Sequence, residues 1–184
     1  MKVPGPALGL LELESIARGI LVGDALVKRA PVDIAMAEPV SPGKYVLLFS
    51  GGVGEVEEAL KAGVESAGST LLDKLFLPRP AARLLEGLRD EFDQIWRESF
   101  GIVETHSVAS TLLAADAALK RGEVWLRRLH LARGIGGKGY FVLGGRLDMV
   151  EAALEGAAGS IEPRMLLTTE VIQRPHPDTK GRVL

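Results

Sequence analysis

Apolar and polar positions alternate between two rhythms along this chain, and the alternation runs twice. Leu8–Leu13 is a short apolar run of strand length, and Ser15 follows as a residue able to cap a helix. Ile16, Ala17, Ile20, Leu21, Ala25 and Val27 then recur at roughly helical spacing until Pro31 stops the helix. Gly19 and Gly23, four apart, lie on one face and permit close packing there. Strands are expected at Val32–Ala37, Tyr45–Ser50 and Thr70–Leu77, with a turn-rich loop over Glu38–Lys44. The third segment is almost continuously apolar, as for a strand buried on both faces. A second helix begins after Gly51-Gly52, carries Val56, Ala59, Leu60, Gly63, Val64 and Ala67 on one stripe, and ends at Gly68. Glu55, Glu57 and Glu58 stand in its first turns, where the helix dipole favours negative charge.

The same series recurs as strand Phe100–Thr105, helix Ser107–Arg121, strand Val124–Leu131, loop Ala132–Gly139, strand Tyr140–Gly144, helix Leu147–Ala158 and strand Met165–Arg174. Aligned at an offset of 92, Gly9–Ile34 and Gly101–Leu126 are identical at ten of 26 positions. The offset grows to 94 at Lys44/Lys138 and to 95 at Pro80/Pro175, which places about two extra residues in the loop after Leu126. Two copies are too few for a solenoid and indicate two fused domains of one fold. The boundaries are 7–80 and 99–176. The linker 81–98 has no counterpart between the repeats, and short helices are expected in it at Ala81–Leu88 and Phe92–Trp96. Each half reads βαββαβ, so the fold class is α+β: two ferredoxin-like units, each an antiparallel sheet with both helices on one face.

Composition narrows the function classes. Lys and Arg number 22 against 24 Asp and Glu, a net charge of −2, so no bulk electrostatic case for nucleic acid exists. There is no cysteine, which removes disulfides, thiolate nucleophiles and Cys-ligated metal or iron–sulfur centres and fits a cytoplasmic protein. Residues 1–6 form a Pro/Gly tail without a signal-peptide apolar region, and no apolar run reaches membrane-spanning length. Gly134-Ile-Gly-Gly-Lys-Gly139 lacks the spacing of a phosphate loop and precedes a strand. His106, His130 and His176 are scattered, with no metal-ligand spacing. Glu12 and Glu104 recur at equivalent strand positions, and their repetition in both halves favours a structural role over acid–base catalysis. No catalytic residues, metal or cofactor are expected.

The first half carries Ala7–Glu12, Asp24-Ala-Leu-Val-Lys28, Gly52–Ala59 and Leu77-Pro-Arg-Pro80 in that order. The second carries Gly101–Thr105, Asp116-Ala-Ala-Leu-Lys120 and Arg174-Pro-His176. Together these segments resemble the bacterial microcompartment (BMC) shell domain. Two copies in one chain resemble the tandem subclass, and Glu104–Ala109 with the Gly134–Lys138 loop resembles its propanediol-utilisation type. The resemblance implies a homotrimer that imitates a six-fold tile, joins other shell proteins edge to edge, sits in the microcompartment shell, and passes small polar metabolites through a central pore. It places Lys28, Arg79, Lys120 and Arg174 at the tile edge and the loops between second and third strands at the pore. The pore-lining residues are then Val40, Ser41, Pro42, Gly43, Gly134, Ile135, Gly136 and Gly137. Some relatives hold an iron–sulfur cluster there through a Cys before Pro-Gly-Lys; Ser41 stands at that position, so no cluster is expected. The competing expectation is a ferredoxin-like binding protein or enzyme with a small ligand between its domains.

Overall fold

The computed structural model describes residues 5–179. Its elements run β1 (Ala7–Leu13), α1 (Ile16–Arg29), β2 (Asp33–Val40), β3 (Lys44–Gly51), α2 (Val53–Ala67) and β4 (Leu71–Leu77). There follow α3 (Ala82–Leu88), β5 (Ser99–Thr105), α4 (Val108–Arg121), β6 (Trp125–Leu131), β7 (Gly139–Gly145), α5 (Leu147–Ser160) and β8 (Leu166–Gln173). Two four-stranded sheets result, ordered β2-β3-β1-β4 and β6-β7-β5-β8, with every pairing antiparallel. The chain divides into two compact units: residues 1–80 with 132–137, and residues 81–131 with 138–184.

Local chemistry explains the helix ends. Ser15 Oγ accepts the Arg18 N–H at 3.2 Å, and Ser107 Oγ accepts the Ser110 N–H at 3.1 Å, so the same cap opens the first helix of each repeat. Lys28-Arg29 and Lys120-Arg121 close those helices, where the dipole favours cations. At α2, Glu55 Oε2 instead reaches back to the Gly52 N–H at 2.8 Å.

In the first unit β1 is central and buried along its whole length. Leu11 and Leu13 pack with Val22, Leu26, Leu47, Phe49, Val56 and Ala59 between sheet and helices. The apolar stripe read for α2 is the buried one, with Leu60 and Val64 half-buried at its margin. The stripe read for α1 is not. The face of α1 against the sheet is Gly19, Val22, Gly23 and Leu26, while Ile16, Ile20, Leu21 and Val27 are exposed. The glycines decide this: a Cβ at Gly19 would enter the Tyr45 ring, so this face approaches β3 closely only because it has no side chain there.

Two further expectations need correction. β2 continues to Val40, past Ala37, because Pro39 pairs opposite Tyr45 on an edge strand, where its missing N–H leaves no ladder bond unmade. Phe92–Trp96 forms no helix. The Asp93 N–H donates to Leu126 O at 3.1 Å, which lays this segment along the open edge of β6. Arg97 holds Asp93 through two bonds at 2.7 and 2.9 Å. The guanidinium groups of Arg83 and Arg97 stand over the Trp125 ring at 4.4 and 4.0 Å. The stretch between the repeats is thereby part of the second unit, packed on β6 and α4 through α3. After β8, Pro175 is buried and a 3-10 turn forms at Pro177–Thr179; residues 180–184 and 1–4 lie outside the described residues.

Candidate functional site

The β2–β3 turn is short because the strands on both sides run long. Ser41, Pro42 and Gly43 alone form it, closed by the Gly43 N–H donating to Val40 O at 2.9 Å. The Ser41–Pro42 peptide is cis. Ser41, Pro42 and Gly43 are exposed, whereas the Val40 side chain is buried and leaves only its backbone near the turn.

The equivalent loop of the second repeat spans 132–138 and is built on glycine. Gly134, Gly136 and Gly137 have φ of +72°, +69° and +78°, left-handed geometry that a Cβ disfavours. Residues 132–137 group with the first unit, and there the two loops meet. Gly137 packs against Ser41 O and the Lys44 stem. Arg133 binds both carboxylate oxygens of Glu38 at 2.5 and 3.0 Å. Such a fork-to-carboxylate pair fixes orientation as well as distance. Neither Arg133 nor Glu38 was singled out in the sequence. Each loop carries two charged residues, Glu38 and Lys44 in one and Arg133 and Lys138 in the other, and nothing in the order of the chain joins two residues 95 apart.

Below each loop stands a carboxylate–lysine pair that the duplication explains. Lys44 Nζ lies 3.7 Å from Glu12 Oε2 in the first unit, and Lys138 Nζ lies 2.9 Å from Glu104 Oε1 in the second. The repeated glutamates therefore anchor the lysine that opens the third strand of each repeat. The environments differ: the Glu12 side chain is fully buried, whereas that of Glu104 is 30% exposed. Lys44→Met is therefore expected to cost about 2 kcal/mol in urea unfolding, since a buried carboxylate loses its cation. Lys138→Met costs about 0.5 kcal/mol by the same measurement. Equal losses would show that burial of Glu12 does not matter.

The four expected edge residues lie at element ends. Lys28 and Lys120 each bind the aspartate one turn back, Asp24 at 2.5 Å and Asp116 at 2.6 Å. Arg79 is exposed just after β4. Arg174 is exposed just after β8, at φ +49°, with its N–H donating to Glu98 O at 2.9 Å. Among the described residues no group of three or more His, Cys, Asp or Glu gathers as metal ligands, and no helix is long and apolar enough to cross a membrane. The histidines stay apart; His130 stacks on Tyr140 with 5.4 Å between centroids.

Comparison with known proteins accounts for the duplication. The BMC domain model matches residues 7–80 and again 99–175. The chain is 42% identical over 171 residues to the bacterial microcompartment shell protein PduT of Citrobacter freundii, covering 92% of this chain and 93% of the relative. It is 38% identical to a microcompartment protein of known crystal structure from Desulfitobacterium hafniense, with a TM-score of 0.84 over 95% of this chain and 97% of that one. A fused permuted hexameric shell protein of the RMM microcompartment shares the fold alone, at 19% identity and a TM-score of 0.62, covering 83% of this chain and 79% of that one.

Proposed function

We infer what this chain does from the premise that it belongs to the BMC-domain family and is a shell protein of a bacterial microcompartment. Three copies close into a trimer whose six domains form a pseudohexameric tile around a central aperture. The placement of loops 38–44 and 132–137 side by side carries this reading. Two such loops from each of three copies would alternate around the axis. The aperture would then be lined by the backbone of Ser41–Gly43 and Gly134–Gly137, by the Ser41 hydroxyl and by Ile135. Amide and carbonyl groups suit small polar solutes, and the glycines add no side chain that would narrow the opening.

The aperture does not suit an iron–sulfur cluster. The residue before Pro42-Gly43 is Ser41, whose hydroxyl is a poor iron ligand, and the chain has no cysteine. The chain contributes no catalytic step; its role is structural, with passage of solute through the tile. Lys28, Arg79, Lys120 and Arg174 join neighbouring tiles, the two arginines because a planar guanidinium can bond several carbonyls at once.

Light scattering with electron microscopy of the same sample tests this reading. A trimer of the 19.6 kDa chain, about 59 kDa, that forms hexagonal sheets is the expected result. A monomer or dimer without sheets at any salt concentration would overturn it. Replacing Lys28 and Lys120 together by Ala is expected to abolish the sheets and leave the trimer mass unchanged. Sheets that persist in that variant would remove the two lysines from the edge.

A further inference from the structure

The two repeats share an arrangement at their first helices, but only one of them is complete within the chain. Ile16, Ile20 and Val27 fall on one face of α1 and are exposed, Ile20 at 61%. Their counterparts on α4 at an offset of 92, Val108, Leu112 and Leu119, are buried, Leu112 fully. The Asp-x-x-x-Lys pair is present on both helices, yet the Asp24 side chain is 59% exposed and that of Asp116 only 7%. In the second unit Asp116 has an additional partner. Its Oδ1 accepts the N–H of Ala81 at 2.7 Å, at the start of α3, which lies against α4 and β6.

Ala81 is the residue that follows the Arg-Pro closing the first repeat. The residue in the same position after the second repeat is His176, which leads into the turn at Pro177–Thr179. The segment after one repeat therefore caps onto the Asp-x-x-x-Lys helix of the next. Ala81 and Asp116 satisfy this relation inside the chain, and α1 with His176–Thr179 are the unmatched halves of the same contact. Among the described residues nothing covers the outer face of α1, where Ile16, Ile20 and Val27 are exposed. We propose that in the assembled protein α1 receives the His176–Thr179 segment of a second copy, with the Asp24 carboxylate accepting the His176 N–H as Asp116 accepts that of Ala81. The contact is head-to-tail, and three of them close a ring. The proposal rests on the trimeric tile proposed above and names the contact that holds it.

The absence of native cysteine makes a disulfide test direct. Asp24→Cys and His176→Cys are placed in one chain, and Ala81→Cys with Asp116→Cys in another as the intrachain reference, where the Ala81 N–H bonds the Asp116 carboxylate within one chain. After mild oxidation at trimer-forming concentration, the first variant is expected to give covalent dimers and trimers on a non-reducing gel. Each single-cysteine variant should give no ladder, and the reference should give none either, because Ala81 and Asp116 belong to one chain. Trimer mass with no ladder would overturn the proposed contact and leave the tile reading standing. A folded doubly substituted chain that is monomeric where the unsubstituted chain is trimeric supports the contact, because it shows these two surface positions to be required. An unsubstituted chain that is itself monomeric would overturn the contact and the tile reading together.

Discussion

Gly19→Thr is expected to destabilise this chain by about 3 kcal/mol, although Thr is the residue at the equivalent position of the second repeat. The reason is an exchange of size across one corner of the fold. In the first unit Gly19 of α1 faces Tyr45, the residue paired with Leu13 in the sheet. In the second, Thr111 of α4 faces Gly139, paired with Thr105. The first corner is filled by an aromatic ring over a bare helix backbone. The second is filled by hydroxyls: Thr111 Oγ1 donates to Ser107 O at 2.7 Å and shares a 2.7 Å bond with Thr105 Oγ1. A Cβ and two further heavy atoms at position 19 have no room beside the ring, and neither α1 nor β3 can retreat without opening the packing of Leu26 and Leu47.

Tyr45→Gly alone costs about 3 kcal/mol or more, through the cavity it leaves and the added freedom of glycine in a strand. The two changes together are expected to cost at least about 1 kcal/mol less than their sum, because each makes the space or fills the space that the other disturbs. Urea midpoints of the two single variants and the double variant measure this. Strictly additive losses would mean that positions 19 and 45 are not partners.

Asp116→Ala is expected to cost about 2.5 kcal/mol, against less than about 0.5 kcal/mol for Asp24→Ala in the dissociated chain. Both aspartates open the same five-residue motif and both hold a lysine one turn on. Asp116 is buried and also caps the N–H of Ala81, so its removal leaves a helix start without its acceptor and weakens the attachment of α3. Asp24 is solvated, and an exposed pair of this spacing contributes little. Thermal unfolding at a concentration low enough to dissociate the assembly compares them. Equal losses would show that the Ala81 contact carries no stability. Asp116→Asn, which keeps an acceptor oxygen, should recover part of the loss.

The duplication, the βαββαβ order and the family resemblance were legible in the chain because each rests on local signals that survive in sequence order. Ser15 and Ser107 cap, Pro31 and Gly68 stop, and apolar runs of strand length recur at a nearly constant offset. The two turns expected at the aperture were also legible, since tight backbone selects glycine and proline whatever surrounds it. The orientation of α1 was not. Its apolar residues outnumber those one face can bury, and periodicity alone cannot tell a core stripe from one awaiting a partner. Only the approach of Gly19 to Tyr45 selects the face. The fate of Phe92–Trp96 was likewise decided at a distance, by the open edge of β6 and the carbonyl of Leu126. The different worth of Asp24 and Asp116, or of Lys44 and Lys138, follows from burial, which identical motifs do not encode. Sequence set the elements and their repetition through short-range chemistry. Tertiary structure decided which copy of each repeated residue is enclosed, because desolvation depends on neighbours far away in the chain.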